Sequence, residues 1–240
     1  MIIGNGQIAK SFLSYKNNNR VLIFASGVSN SQESDLINFN REKSLINSAI
    51  NNNKDKIFVY FSSCSIYDLS LKDSSYVKHK IAMESLIAKN TNKYYIFRLP
   101  QVVGSIRTIN TNLVSFLFTS IFNNTTIDIY QKSTRNLIGL KDVFSSADFL
   151  ISNNKYINEI TNIATPYNVT VINIVQMIEE ITGLSLSYNL LDVGYSYDIN
   201  IDKLHDLGID LDIFASGYLY DILQDYNLLF RAEYLENGEH

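Results

Sequence analysis

The chain has 240 residues, of which 46% are hydrophobic and 18% are charged, which suits one large domain or two small interleaved ones. A net charge of −4 argues against a nucleic-acid partner, because no basic stripe is available to neutralise phosphates. The single cysteine, Cys64, excludes a disulfide framework, and no apolar run approaches membrane-spanning length. Since no signal-peptide pattern precedes MIIGNG, we expect a cytoplasmic protein with no membrane partner.

Short apolar runs alternate with helical patterns over the first hundred residues. The predicted strands are MII, VLIFASG, KIFVYFSS and KYYIFRLP, and the predicted helices between them are QIAKSFLSY, ESDLINFNREKSLINSAI and YVKHKIAMESLIAKN. This alternation predicts an α/β fold with a doubly wound parallel sheet. In such sheets, ligands bind at the carboxyl ends of the strands.

Beyond Gly104 the alternation loosens. The stretches LVSFLFTSIF, DVFSSADFLIS and TVINIVQMIEEITG have helical patterns, whereas TIDIY, NLIGL and EITNIA predict strands. We therefore predict a first domain over residues 1–104, with segments around 136–165 returning to it. A smaller lobe would be built mainly from residues 105–230, followed by a tail over 231–240.

The stretch GNGQIA follows the first predicted strand and opens a helix, which is the context of a dinucleotide fingerprint. Gly4 and Gly6 would let the backbone approach a pyrophosphate, and Ala9 would allow close packing of the helix on the strand. The simpler alternative is a tight turn without a ligand. An acidic residue about 20 positions further on, after a second strand, is missing, because NNNR leads directly into VLIFASG. The nucleotide site is therefore abbreviated, or the cofactor is held in another way.

Tyr76 and Lys80, in the stretch SSYVKHK, stand four residues apart on a predicted helix and so share a face. This spacing suits an acid/base pair, although chance alone places about one such pair in a chain of this composition. His79 lies off the shared face, and we expect it to be solvated. Ser63 ends the strand KIFVYFSS, where its hydroxyl can contact a substrate oxygen or satisfy the local backbone. Cys64 has no His–Asp arrangement nearby and is not expected to be a nucleophile.

The order of the motifs is more specific than any single motif. Gly4, Gly6 and Ala9, then FASG, Asn38, SSCSIY, YVKHK, FRLPQVVG and RNLIGLKDV resemble the extended short-chain dehydrogenase/reductases, which are NAD(P)-dependent epimerases, dehydratases and ketoreductases of sugar nucleotides. The resemblance continues through NEITNIA, TVINIVQMIEEITG and DINIDKLHDLGID, and so covers roughly residues 2 to 212. It implies a Rossmann-like first domain, abbreviated after the first helix, and a C-terminal substrate-binding lobe.

The resemblance also implies roles for individual residues. Tyr76 would be the general acid/base, Lys80 would lower its pKa and bind the nicotinamide ribose, and Ser63 would hold the reacting oxygen. Gln101 and Arg135 would contact the diphosphate of a nucleotide-sugar substrate. NAD or NADP would be bound by Gly4, Gly6, Gln7, Ile8, Ala25, Ser26, Gly27, Asn38 and Pro100.

Some of these residues have plainer interpretations. Asn38 could simply be a polar residue at a helix start, Arg135 could be an exposed charge beside a strand, and Arg98 has the pattern of a structural anchor. No group of His, Cys or carboxylate residues has metal-ligand spacing, so no metal is expected. The resemblance further implies a homodimer.

The function that we predict from the sequence is NAD(P)-dependent reduction of a nucleotide-activated keto-deoxysugar. One alternative is a sugar-nucleotide epimerase that uses Ser63, Tyr76 and Lys80 and keeps its cofactor bound. The other alternative is a non-catalytic nucleotide-binding protein with a degraded cofactor site. The missing segment before Val21 supports this last alternative, whereas the intact acid/base residues oppose it.

Overall fold

The computed structural model describes residues 1–104, 112–207, 213 and 215–237. The chain divides into two compact units. The first unit comprises Met1–Pro100, Val143–Ile163 and Ile199–Ile209, and the second comprises Gln101–Asp142, Ala164–Asp198 and Asp210–His240. Residues 199–207 belong to the unit that contains the parallel sheet. The stretch DINIDKLHDLGID and the predicted tail at 231–240 lie partly outside the described residues.

The first unit contains a five-stranded parallel sheet in the order β1-β2-β3-β4-β9. Its strands are β1 (Ile2–Ile3), β2 (Val21–Phe24), β3 (Ile57–Ser63), β4 (Tyr94–Leu99) and β9 (Glu159–Asn162). Its helices are α1 (Gln7–Ser11), α2 (Leu36–Asn52), α3 (Ser75–Asn90), α5 (Leu140–Ser152, from Val143 onward) and α7 (Asp202–His205). These elements confirm the predicted α/β, Rossmann-like fold class.

The two faces of this sheet are covered by different helices. On one face, Phe58 and Tyr60 of β3 pack with buried apolar side chains of α2 and α3, such as Ile46 and Ile87. On the other face, Phe12, which follows α1, packs on Phe61 of β3 and Phe144 of α5. The connection from β1 to β2 therefore lies on the α5 face, and the next two connections lie on the opposite face.

This arrangement gives the first connection an unusual hand. The sheet grows in one direction from β1 to β4, so two connections on opposite faces must have opposite hands. Parallel strands are almost always joined by right-handed connections. The β1–β2 connection, which spans only residues 4–20, has the opposite hand to the β2–β3 and β3–β4 connections. Strand β1 is consequently an edge, and within the described residues it pairs only with β2.

Within the described residues, the second unit has three strand pairs and three helices around its own apolar core. Its strands are β5 (Gln101–Val103), β6 (Ile127–Tyr130), β7 (Thr134–Arg135), β8 (Leu137–Gly139), β10 (Val169–Thr170) and β11 (Tyr188–Leu191). Its helices are α4 (Leu113–Phe122), α6 (Val171–Thr182) and α8 (Tyr218–Asn237). Among the described residues, no helix has both the length and the apolar character needed to cross a membrane.

The short β1–β2 connection generates a prediction about stability. Phe12 is completely buried, whereas its neighbour Leu13 is 60% exposed. We expect Phe12→Ala to lower the free energy of unfolding by about 3 to 5 kcal/mol, because it opens a cavity between β3 and α5. The control Leu13→Ala should change it by less than about 0.5 kcal/mol. Chemical denaturation measures both, and equal losses would contradict the packing described for this connection.

Candidate active site

Helix α3 brings the predicted acid/base residues into one place. Ser74 caps the helix, since its hydroxyl accepts a hydrogen bond from the Val77 backbone N–H. Tyr76 therefore lies in the first turn and Lys80 one turn later on the same face. Helix α3 also packs against the short turn Cys64–Tyr67, which directly follows Ser63 at the end of β3. The three predicted catalytic residues thus lie on adjoining elements of the first unit.

Tyr76 is only 4% exposed, and its ring belongs to an apolar cluster with Val28, Phe39 and Val77. Its hydroxyl has no hydrogen-bond partner within the described part of the chain. Lys80 is close, with its Nζ 5.8 Å from the centre of the Tyr76 ring, but it does not donate to the Tyr76 oxygen. The hydroxyl therefore keeps its hydrogen-bonding capacity for another group.

Lys80 is 2% exposed, and its hydrogen bonds go to two residues that sequence analysis did not single out. Its Nζ donates to Oη of Tyr60 at 3.0 Å and to Oε1 of Glu42 at 3.3 Å. An ammonium group has three N–H donors, so one donor has no partner among the described residues. The predicted role of Lys80 towards Tyr76 thus remains a prediction, while its measured contacts anchor it to Glu42 and Tyr60.

Glu42 of α2 is the centre of this buried network. Its carboxylate is completely buried and also accepts hydrogen bonds from the Val28 N–H at 2.7 Å and from Tyr60 Oη at 2.7 Å. His79 Nε2 lies 2.9 Å from Oε2 of the same carboxylate. Burial alone would raise the pKa of Glu42, but the hydrogen bond from His79 and the charge of Lys80 outweigh it and hold that pKa at about 2.

Tyr60 and His79 both lie next to the Glu42 carboxylate, which determines their hydrogen bonding. Burial and the adjacent Glu42 charge raise the pKa of Tyr60 well above its ordinary value, so Tyr60 stays protonated and donates to the carboxylate. His79 is not solvated as the sequence suggested. Its side chain is 8% exposed and stacks on Phe39, with ring centres 4.5 Å apart. The reason is that α2 covers this side of α3.

The end of β3 presents the predicted serine. Ser63 Oγ accepts a hydrogen bond from the Ser65 N–H at 3.1 Å, so the hydroxyl hydrogen can still be donated. The neighbouring Ser62 Oγ is buried and has no partner among the described residues. Burial raises the pKa of the Cys64 thiol far above its ordinary range, which makes this cysteine a poor nucleophile.

The glycine turn after β1 has the backbone that a close approach requires. Gly4 has φ +127°, and a Cβ at this position would come within 2.3 Å of the Ala25 carbonyl oxygen. Gly4 and Gly6 are exposed, and a Cβ on Gly6 would meet nothing within 4 Å. Gln7 and Ile8 are half-buried at the start of α1.

The other predicted cofactor residues of the first unit lie after β2 and β4. Ala25, Ser26 and Gly27 are half-buried after β2, and a Cβ on Gly27 would come within 2.9 Å of Lys80 Nζ. Asn38 is in the first turn of α2, where its side-chain amide donates to Glu33 at 2.8 Å. Pro100 is half-buried directly after β4.

Gln101 and Arg135 lie in the second unit. Gln101 is in β5, and its buried Oε1 has no partner among the described residues. Arg135 is half-buried in β7, and its Nη1 donates to the Thr134 carbonyl at 2.7 Å. These are the two residues expected to bind a substrate diphosphate.

Arg98 holds the strand ends together. Its guanidinium pairs with both carboxylate oxygens of Glu84 on α3, at 2.9 and 2.6 Å, and donates to Tyr67 Oη at 2.8 Å. Tyr67 in turn donates to Asn162 of β9. Burial by itself would lower the pKa of Arg98, but the paired Glu84 raises it above its ordinary value. Arg98 therefore links α3, β4 and β9, as a structural anchor would.

Sequence analysis missed Glu42, Tyr60 and His79. A glutamate or histidine on a helix usually faces solvent, and a tyrosine in a strand usually belongs to the core, so none of the three had a distinctive signal. A helical projection could have placed Glu42 on the buried side of α2, one turn from the core residue Phe39 and one turn from Ile46.

The Glu42 network generates a prediction about stability and its pH dependence. Glu42→Gln should lower the free energy of unfolding at pH 7 by about 3 kcal/mol, because Lys80 loses its buried counter-charge. Since the folded pKa of about 2 is below the ordinary 4.5, the native carboxylate stabilises the fold above pH 4.5 and stops doing so as the pH falls towards 2. The variant should therefore lose less stability over that interval, as measured by denaturation at several pH values.

An exposed ion pair provides the control. Asp73 and Lys78 pair at 3.5 Å with side chains that are 79% and 62% exposed. Asp73→Asn should change the free energy of unfolding by less than about 1 kcal/mol. If Glu42→Gln behaved like Asp73→Asn, the buried network would not be a major source of stability.

No known family model and no curated protein match the sequence. Solved structures do match. They include a UDP-glucose 4-epimerase from Thermotoga maritima with UDP-glucose, with 18% identity, a TM-score of 0.73 and coverage of 94% of this chain and 82% of that one. The enzyme WbmH of Bordetella bronchiseptica, in complex with NAD+, has 16% identity, a TM-score of 0.72 and coverage of 95% and 82%.

A UDP-glucuronic acid 4-epimerase from Bacillus cereus, in complex with UDP-glucuronic acid and NAD, has 19% identity and a TM-score of 0.70. The match covers 95% of this chain and 79% of that one. At sequence identities this low, the structural similarity establishes the fold alone. The chain therefore has the fold of these three proteins, two of which are UDP-sugar 4-epimerases.

Proposed function

We propose that this chain is a nucleotide-sugar epimerase that uses a nicotinamide cofactor, with Tyr76 as the general acid/base. The observation that carries the proposal is the position of Tyr76, Lys80 and Ser63 on adjoining elements, in a fold shared with sugar-nucleotide 4-epimerases. The free hydrogen-bonding capacity of the Tyr76 hydroxyl supports it further, since a proton-transfer group must be able to reach its substrate.

The residues fit the nicotinamide end of such a cofactor. The glycine turn at Gly4 gives the backbone a close-approach conformation, and Gly6 has open space beside it. One N–H of the Lys80 ammonium has no partner among the described residues, so a ribose hydroxyl could accept from it. The adenosine end has no comparable set of residues, because the described sheet ends at β1.

The proposed mechanism divides the work between cofactor and protein. When bound, the nicotinamide ring would supply reversible hydride acceptance from a sugar carbon. The Tyr76 oxygen takes the proton from the sugar hydroxyl at that carbon and later returns it. Ser63 donates its hydroxyl hydrogen to the same sugar oxygen and so orients it. Lys80, whose Nζ lies 5.8 Å from the centre of the Tyr76 ring, would hold the nicotinamide ribose.

Epimerisation is a better-supported reaction than the reduction predicted from the sequence. Two of the neighbours named above are 4-epimerases of UDP-sugars, one with UDP-glucose and one with UDP-glucuronic acid and NAD. An epimerase needs no second substrate, because the hydride returns to the sugar that supplied it. Reduction of a keto-deoxysugar would use the same three residues but consume one reduced cofactor for each turnover.

Two residues of the second unit have hydrogen-bonding groups that suit a nucleotide-sugar substrate. Arg135 uses one Nη to bind the Thr134 carbonyl, and its other N–H groups suit a diphosphate. The buried and unpartnered Oε1 of Gln101 is an acceptor that suits a nucleotide or sugar hydroxyl. We propose both as substrate-binding residues.

A second candidate function is nucleotide binding without turnover. It is favoured by one observation, namely that Lys80 is engaged by Glu42 and Tyr60 instead of Tyr76. This function would be identified if the unaltered protein bound nucleotide sugar and nicotinamide cofactor but showed no turnover.

The decisive measurement is interconversion of UDP-glucose, UDP-N-acetylglucosamine or UDP-glucuronic acid with its 4-epimer, without added reductant. We expect Tyr76→Phe to lower kcat by at least about a hundredfold, because the proton acceptor is lost. Nicotinamide binding, followed by NADH fluorescence, should be unchanged in this variant.

The control is Tyr67→Phe, which removes a phenol that already bonds Arg98 and Asn162. It should change stability more than the rate of epimerisation in the folded protein. If Tyr76→Phe retained full activity, Tyr76 would not be the acid/base. If turnover required a stoichiometric supply of NADH or NADPH, the enzyme would be a reductase.

A further inference from the structure

We propose that the first unit recognises only the nicotinamide–ribose–phosphate end of its cofactor, so that the adenosine end adds no binding energy. This inference rests on the proposed function, because it concerns the same nucleotide site. It predicts that reduced nicotinamide mononucleotide binds as tightly as NADH.

Strand β1 lies at one edge of the described sheet. A dinucleotide-binding sheet continues beyond its first strand, and the end of the next strand there carries the carboxylate that holds the adenosine ribose. In this chain β1 is the edge, and its only partner among the described residues is β2. The order of strands never reverses, so the crevice that normally receives the two halves of a dinucleotide is bounded on one side only.

After α1 the chain stays on the face of the sheet that α5 covers. Phe12 is completely buried against Phe61 and Phe144, and the Tyr15 hydroxyl donates to Asp148 of α5 at 2.6 Å. These contacts hold the connection on the face of the sheet. The chain therefore returns to β2 without passing beyond the edge at β1, and this connection supplies no wall for an adenine ring.

Three carboxylates that follow β2 already accept hydrogen bonds from protein groups. Glu42 accepts four hydrogen bonds, from Val28, Tyr60, His79 and Lys80. Glu33 accepts from the Ser34 and Asp35 backbone N–H groups and from the Asn38 amide. Asp35 caps α2 by accepting from the Ile37 N–H. All three carboxylates already have protein partners, so none is placed as a dedicated acceptor for a ribose diol.

The residues proposed to bind the nicotinamide end, in contrast, have a suitable backbone and unused hydrogen-bonding groups among the described residues. Gly4 holds the turn after β1 in a conformation that only glycine adopts readily. Tyr76 and Lys80 each retain hydrogen-bonding capacity among the described residues. The contrast between the two ends assigns recognition to the half of the cofactor that carries the reactive ring.

The experiment measures dissociation constants of NADH and of reduced nicotinamide mononucleotide by their fluorescence, with the full chain. We expect the two constants to agree within about threefold. AMP, which carries the adenosine end of NADH but neither the nicotinamide ring nor its ribose, should not displace either ligand at millimolar concentration. A carboxylate that bonded the adenosine ribose would instead contribute about 1.5 to 3 kcal/mol, or about ten- to a hundredfold in affinity.

Two variants check that binding occurs at the described turn. Gly4→Ala should weaken both ligands equally, because a Cβ there would come within 2.3 Å of the Ala25 carbonyl. Leu13→Ala, at an exposed position on the same connection, should weaken neither. Circular dichroism verifies that Gly4→Ala is folded, and the comparison of ligands with the unaltered chain does not depend on this variant.

The outcomes separate this inference from the proposed function. NADH binding ten times more tightly than the mononucleotide, or displacement by AMP, would overturn the inference and leave the epimerase proposal in place. Equal binding of both ligands would support it. Binding of neither ligand would overturn the proposed use of nicotinamide, and the inference with it.

Discussion

The buried carboxylate of Glu42 is the interaction on which the site depends most. It joins α2, which carries it, to three other parts of the first unit, because its partners lie in the loop after β2, in β3 and in α3. An isolated buried carboxylate would be costly, and here each oxygen accepts two hydrogen bonds. The network therefore sets where Lys80 lies, and it keeps α2 and α3 in a fixed relation to the strand that ends at Ser63.

The same network changes how the acid/base pair should be understood. The ammonium of Lys80 is anchored by Glu42 and Tyr60, so it can act on Tyr76 through its charge at a distance and not through a hydrogen bond. Tyr76 is consequently the less constrained partner. A hydroxyl without a hydrogen-bond partner among the described residues, as in Tyr76, suits the proton transfer proposed for it, whereas a hydroxyl saturated by hydrogen bonds would not.

The shortened β1–β2 connection is the second constraint, and it acts on the cofactor. It leaves β1 at the edge of the sheet, and Phe12 anchors the connection on the α5 face. In the proposed function, proton and hydride transfer would take place at the nicotinamide end, which does not require strands beyond β1. The adenosine end would serve binding alone.

The sequence by itself determined the α/β class, the abbreviation after the first helix and the four-residue spacing of Tyr76 and Lys80. Each of these depends on local patterns, namely the periodicity of apolar residues, the length of a connection and the geometry of one helix. Only the tertiary structure decided that Lys80 bonds Glu42 and Tyr60, that His79 is buried and that residues 199–207 belong to the first unit. Glu42 lies 38 residues from Lys80 and 18 from Tyr60, so their contact depends on how α2 and α3 pack over β3, and no local pattern encodes that packing.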